Sequence, residues 1–282
     1  MSLTVLRTRD ELSAFLRRLR STGASLALVP TMGNLHRGHL ALVERAAKLA
    51  ERVAVSIFVN PTQFGPEEDF DRYPRTPEQD LAALSTVPCD LVFMPPVEEM
   101  YPFGIPSAVR VRVPGLSEVL CGERRPGHFD GVATVVLRLL TLFDPEVAVF
   151  GEKDYQQLLL VRRLVADLGL PVRIEGVPTV RDGDGLALSS RNAYLDAEDR
   201  ARAVLLHRVL RRMGERWLAG EERERIEREA LDALRAGGLK PEYAVIRRAE
   251  DLALPRSGER PVRALAAAVV GKARLIDNWP IP

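Results

Sequence analysis

The sequence predicts an α/β protein, a Rossmann-like, doubly wound parallel sheet with a second, smaller α+β domain. Three observations carry this. Short apolar runs of strand length alternate with segments of helical period over the first part of the chain, the pattern of βα units that build a parallel sheet. After Asn192 the alternation gives way to two arginine- and glutamate-rich helical segments followed by three strand-like runs. At 282 residues the chain has length for two domains, and the change of pattern divides it into residues 1–180 and 181–282.

Residues 26–29, 53–59, 91–94, 147–150 and 172–176 are apolar runs short enough to be buried strands, and helical periods cover 39–50, 77–84, 132–142 and 155–168. The proline-rich stretch 95–114 interrupts this rhythm and reads as a loop with an irregular or antiparallel excursion. In the second part, helices are expected at 197–218 and 221–236, and strands at 243–247, 263–270 and 274–278. The charge run 221–229 reads as a solvated helix face laced by i,i+4 pairs.

Composition narrows the function classes. The hydrophobic fraction, 46%, is ordinary for a globular protein, and the formal net charge is +1. Residues 1–180 hold 20 basic and 22 acidic side chains and the remainder 20 and 17, so neither part is a nucleic-acid surface by bulk charge. Two cysteines, Cys89 and Cys121, supply no zinc site. Residues 1–10 carry charges where a signal peptide has an apolar core, and no apolar run approaches the roughly 20 residues of a membrane span. A reducing, cytoplasmic setting without membrane attachment is therefore the expectation.

The segment Pro30-Thr31-Met32-Gly33-Asn34-Leu35-His36-Arg37-Gly38-His39 follows the first of these strands and opens a helix. Backbone donors and the positive end of a helix dipole favour a polyphosphate there. His36 and His39 lie three residues apart and so share one side of the first turn, where they would add protons as negative charge accumulates. A histidine pair at a helix start also serves simply as a cap. Far downstream, Leu188-Ser189-Ser190-Arg191-Asn192 adds two hydroxyls and a guanidinium after the turn Asp182-Gly183-Asp184-Gly185. Together the two segments resemble the paired signatures of adenylate-forming nucleotidyltransferases, whose first motif is HIGH-like.

Of 40 basic residues only four are lysines, at 48, 153, 240 and 272, so a lysine in a special place draws notice. Lys153 stands in Gly151-Glu152-Lys153-Asp154-Tyr155-Gln156-Gln157, at a strand-to-helix turn of the kind that binds ligands in α/β proteins. The alternative is a surface segment in which Glu152 and Asp154 complement the helix dipole. Between the two phosphate signatures, Asn60 and Gln63 present amides where a strand stops at Pro61, suited to a ligand carrying hydroxyls and a carboxylate. A turn amide bonding its own backbone explains Asn60 equally well. Residues 67–76 are polar and turn-rich, as a mobile flap would be.

The ordered blocks Val29 to His39, Ile57-Phe58-Val59-Asn60-Pro61-Thr62-Gln63-Phe64-Gly65, Tyr73-Pro74-Arg75-Thr76, Arg125-Pro126-Gly127-His128-Phe129, Gly151 to Gln157 and Ser189-Ser190-Arg191-Asn192 resemble the pantoate–beta-alanine ligase, or pantothenate synthetase, family nearly end to end. The ending Arg274-Leu275-Ile276-Asp277-Asn278 is similar too. Leu188 departs from the family's usual methionine, and Thr62 occupies a variable position.

The resemblance implies ATP-dependent condensation of pantoate with beta-alanine through a pantoyl adenylate, releasing AMP and pyrophosphate. It makes 1–180 the ATP- and pantoate-binding domain and 181–282 a lid. It implies ATP contacts from Met32, Gly33, Asn34, Leu35, His36, Arg37, Gly38 and His39, from Gly151, Glu152, Lys153 and Asp154, and from Val180, Leu188, Ser189, Ser190 and Arg191. His36, His39, Lys153 and Arg191 would serve catalysis. Gln63, Gln157, Asn60 and Tyr73 would hold the substrates. Mg2+ would be bound mainly through the phosphates, with no protein metal site, and Asp80 is one of several carboxylates near the flap. A homodimer is the implied assembly. Another adenylyltransferase, a tRNA-charging fragment or an inactive nucleotide-binding regulator are the rival readings. A basic anticodon-binding surface is missing, and the catalytic-type residues stand together, which disfavours all three.

Overall fold

The computed structural model describes residues 3–66 and 68–282. Met1, Ser2 and Glu67 lie outside, so the start of the charged N-terminal segment and the first residue of the expected flap are not part of the description. The described residues fall into two compact units, one extending to residue 152 and including 160–178, the other formed by 153–159 and 179–282.

The first unit is a six-stranded parallel sheet of β1 (Thr4–Leu6), β2 (Leu26–Thr31), β3 (Arg52–Ile57), β4 (Leu91–Phe93), β5 (Val147–Gly151) and β6 (Arg173–Val177), in the order β1-β4-β3-β2-β5-β6. Its helices are α1 (Arg9–Ser21), α2 (Arg37–Ala46), α3 (Pro77–Leu84), the single turns α4 (Val97–Met100) and α5 (Cys121–Arg124), α6 (His128–Phe143), and α7 (Tyr155–Leu168), whose first residues count with the second unit. A parallel strand covered on both faces is apolar throughout rather than alternating, which is why residues 26–29 and 91–93 read as unbroken hydrophobic runs and are buried. Ala27, Val29, Val53, Val55, Val147 and Val149 project on one face at the strand period of two and meet Leu42, Val43 and Ala46 of α2. Burying each such valine or leucine contributes about 1.5–3 kcal/mol. Strand order reverses between the neighbours β2 and β5, so the carboxyl ends Thr31 and Gly151 flank a topological switch point, where open α/β sheets bind ligands.

The second unit pairs α8 (Ala197–Leu218) and α9 (Arg223–Ala236) with an antiparallel sheet of β7 (Lys240–Arg248), β8 (Val262–Val270) and β9 (Ala273–Ile281). Asp196 caps α8 by accepting from the Asp199 N–H at 2.8 Å. Alternate small residues of β8, Ala264, Ala266 and Ala268, let Leu206, Leu210 and Met213 of α8 close over the sheet.

The α/β class and parallel sheet are as the sequence predicts, with corrections at particular elements. β1 and α1 had no counterpart in the sequence reading. The expected strand 53–59 ends at Ile57, because Asn60 and Pro61 open a 3-10 turn (Pro61–Gln63). The expected helix 39–50 begins at Arg37 and ends at Ala46, and the expected helix 132–142 runs from His128 to Phe143. The stretch 95–114 holds α4 and a 3-10 turn (Ile105–Ser107). Salt bridges Arg223–Glu227 and Arg225–Glu229 lace α9 at i,i+4, as the charge run implied.

Candidate active site

In the first unit, β2 delivers the chain to a tight turn. Gly33 sits at φ +83° and Asn34 at φ +49°. A Cβ on Gly33 would stand 2.9 Å from Asp80 Oδ2 and 3.0 Å from Ile57, so the turn needs glycine for space as well as for its backbone. The Asp80 carboxylate, 2% exposed, accepts from the Asn34 N–H at 3.0 Å, the Leu35 N–H at 2.7 Å and the Thr76 hydroxyl at 3.1 Å. It thus satisfies two donors of the turn ahead of α2 and is committed to the protein chain.

The two histidines then form a reciprocal cap. His36 Nδ1 accepts from the Gly38 N–H at 3.1 Å, and His39 Nδ1 accepts from the His36 N–H at 3.3 Å. Because a backbone N–H always donates, each neutral ring carries its hydrogen on Nε2. The ring centroids lie 4.1 Å apart. Capping and function are therefore compatible, since the cap fixes the tautomer and the orientation of both rings. Arg37 and Gly38 form the first turn of α2 behind them.

Beside this turn, Gln63 Nε2 donates to the Met32 sulfur at 3.0 Å, and its Oε1 accepts from Asn60 Nδ2 at 3.1 Å. Asn60, 1% exposed, spends its amide on its surroundings: Nδ2 also donates to Gly131 O at 3.1 Å, while Oδ1 accepts from the Tyr101 hydroxyl at 2.7 Å and from Thr62. Asn60 thus bonds its own turn through Thr62 and braces Gln63. A second brace grips the Gln63 carbonyl, which bonds His128 Nδ1 at 2.8 Å and Arg125 Nη2 at 3.4 Å. Arg125 in turn holds Glu68 through both oxygens, at 2.7 and 2.5 Å. Burial pushes the Glu68 carboxyl up, but Arg125's hydrogen bonds and charge, with His128's, outweigh it and hold the group below its ordinary value. Tyr73 is buried, its ring edge-on to Phe64 at 5.8 Å, so it anchors the segment after Glu67.

Gly151 ends β5, and Glu152 is the last residue of this stretch of the first unit. In the second unit, Lys153 occupies a 3-10 turn (Glu152–Asp154) with its Nζ 3.7 Å from Asp154. Gln157 lies in the first turn of α7. Val180 and Leu188 face each other across a hairpin, the Leu188 N–H donating to Val180 O at 3.0 Å. The Gly-rich turn at its tip is tied by Arg200 to Asp182 at 2.9 Å and Asp184 at 2.7 Å. Ser189 caps the following 3-10 turn (Ser190–Tyr194), accepting from the Arg191 N–H at 3.3 Å. A cavity of about 10 Å³, the size of one water, is lined by Lys153, Ser189, Asn192 and Asp277 among others. Each unit therefore assembles its own share of the sequence-selected residues. Asp80, Tyr101, Arg125, His128 and Gly131 were not singled out as site residues. The proline-flanked and Arg-Pro-Gly-His blocks were the available signals for Arg125 and His128.

Comparison with known proteins follows the same line. A family model described as pantoate-beta-alanine ligase matches residues 4–280. The pantothenate synthetase of Pseudomonas paraeruginosa is 53% identical over 280 residues, 99% of each chain. That of Thioalkalivibrio sulfidiphilus is 54% identical over 275 residues, 97% of this chain and 96% of its own. Among solved structures, pantothenate synthetase from Thermus thermophilus superposes with a TM-score of 0.92 at 51% identity over 99% of both chains. The Francisella tularensis pantoate-beta-alanine ligase, solved with beta-gamma ATP and beta-alanine, gives 0.84 at 33% identity over 99% of this chain and 98% of its own.

Proposed function

The chain belongs to the pantoate-beta-alanine ligase family, and from that premise we propose how its residues carry the family's reaction: ATP-dependent condensation of pantoate with beta-alanine to pantothenate, through a pantoyl adenylate, with release of AMP and pyrophosphate. It is an AMP-forming carbon–nitrogen ligase. Pantoate's carboxylate is ionised at neutral pH, so its attack on the α-phosphate needs no base. What it needs is alignment of one anion against another and neutralisation of the charge that builds on the departing pyrophosphate.

The observation that carries the residue assignment is the histidine cap. With both Nδ1 atoms engaged by backbone N–H groups, His36 and His39 are Nε2–H donors fixed at a helix N-terminus beside the switch point. His39 donates a hydrogen bond or a proton to the pyrophosphate, and Lys153 and Arg191 supply positive charge on the second unit's part of the chain. Met32 to His39, Gly151 to Asp154, Val180 and Leu188 to Arg191 hold ATP. Gln63 and Gln157 hold pantoate, with Gln63 shared by beta-alanine. Asn60 acts through Gln63, and Tyr73 through the segment it anchors. Alignment contributes about 7–11 kcal/mol and a proton donor about 10²–10⁴-fold in rate, so loss of a clamping cation costs at least as much as loss of the donor.

Magnesium, if required, would be held mainly through the phosphates of ATP. The turn offers backbone N–H groups and imidazoles, a donor set for anions, and Asp80, the nearby carboxylate, is spent on backbone donors. The ion would supply charge neutralisation there, without a protein ligand. No helix among the described residues is long and apolar enough to cross a membrane, and Cys89 and Cys121 form no disulfide; a reducing, cytoplasmic setting is part of the same proposal. The remaining assignment is a homodimer acting on small molecules, without nucleic acid.

ATP–pyrophosphate exchange tests the scheme. Exchange is expected with pantoate and not with other carboxylates. His39→Ala and Lys153→Ala are expected to stay folded and to lose orders of magnitude. Near-normal exchange in either variant removes that residue from the mechanism.

A further inference from the structure

The ending Asp277-Asn278 belongs to a strand of the second unit, and although its two side chains leave opposite faces of that strand, both are almost completely buried, at 4% and 2% exposure. A burial that costly for polar groups requires partners, and several of them lie in the segments proposed above to hold ATP. Asn278 Nδ2 donates to the backbone carbonyl of Lys153 at 2.9 Å across 125 residues of sequence. Its Oδ1 accepts from Arg263 Nη1 at 2.6 Å, and that guanidinium lies 3.7 Å over the ring of Tyr155, two residues beyond Lys153. Asp277 accepts from Arg181 through both oxygens, at 2.7 and 2.9 Å. The same guanidinium donates to Gly185 O at 3.1 Å and to Asn278 O at 3.1 Å, so it ties the Val180–Leu188 hairpin to β9.

We propose that Asp277 and Asn278 are positioning residues for nucleotide binding: Asn278 fixes the backbone of Lys153 while Asp277, through Arg181, fixes the hairpin that leads into Ser189 and Arg191. One dipeptide thereby holds two segments that are far apart in sequence in a single register. The proposal rests on the assignment of Lys153 and Ser189 to ATP.

Asn278→Asp is the discriminating variant, because it preserves shape and the acceptor for Arg263 but puts an oxygen where the donor to Lys153 O stood. In ATP–pyrophosphate exchange we expect the KM for ATP to rise about tenfold or more while that for pantoate stays within about twofold, the size of effect that loss of one buried hydrogen bond produces. Should this variant fail to fold, Asn278→Ser, neutral and smaller, carries the same expectation. Unchanged ATP use, or equal rises in both constants with a parallel fall in melting temperature, overturns the proposal. Lys153→Ala in the same assay separates the two readings. If it leaves ATP use intact, the assignment of Lys153 to ATP fails. If it impairs ATP use and the Asn278 variants do not, the positioning role fails.

Discussion

A single buried carboxylate, Asp80, holds the turn on which the histidine pair depends. Replacing it with asparagine keeps one acceptor and sets an NH2 group against a backbone N–H of Asn34 or Leu35. An unsatisfied buried donor costs about 1–3 kcal/mol. Were all of that cost to fall on the transition state, Asp80→Asn would slow pyrophosphate exchange about 5–150-fold. The test that separates positioning from simple destabilisation is nitrogen NMR of the imidazoles: the variant is expected to lose the Nε2–H tautomer of His36 and His39, and an unaltered tautomer with lost activity would reject the argument. At this scale the sequence was readable where chemistry is local. The histidines, Lys153 and the Ser-Ser-Arg run stand in short motifs. Asp80 was only one acidic residue among several, because its backbone donors lie 45 and 46 residues away, and Tyr101 bonds Asn60 from 41 residues away. No spacing rule encodes such contacts.

Among elements, the 3-10 turn carrying Gln63 depends on α6. A Cβ on Gly131 would collide with the Thr62 carbonyl and stand 2.7 Å from Gln63 Cα. Gly131→Ala is expected to cost about 1–3 kcal/mol as overpacking and to weaken pantoate use more than ATP binding. Equal loss for both substrates would point to general unfolding instead. The segment from Glu68 onward is tied down by the Glu68–Arg125 ion pair, and its pH dependence follows from linkage. The folded Glu68 group lies below its ordinary value of 4.5, so its stabilisation is complete above that value and is lost as pH falls through the lower, folded value. Limited proteolysis of residues 68–76 is expected to accelerate in acid below about 4.5 in the wild type, and Glu68→Gln to flatten that dependence. An identical acid response in both proteins would dissociate the ion pair from the segment. Periodicity revealed the buried strands because their apolar runs are unbroken. It passed over β1, which has three residues, and it was present but unused at α1, where Leu12, Leu16 and Leu19 stand at helical spacing behind a capping box of Thr8 with Glu11.

For the whole molecule, the surface of the first unit bears on assembly. Phe103 and Val109, in the irregular stretch 95–114, are 85% and 76% exposed. Val109 borders a groove of about 330 Å³ that Val111, Leu137 and Met100 also line. Val109 is the exposed apolar side chain at that groove, and in the proposed homodimer a second copy of the chain would remove it from water by a self-complementary contact. Light scattering is expected to report about twice the 31.3 kDa chain mass. Val109→Asp would place a charge in that contact, where burial without a partner is costly, and is expected to shift the protein toward the single-chain mass while circular dichroism stays unchanged. A single-chain mass for the wild type would remove the dimer. A dimeric Val109→Asp would keep the dimer and move its interface away from this groove.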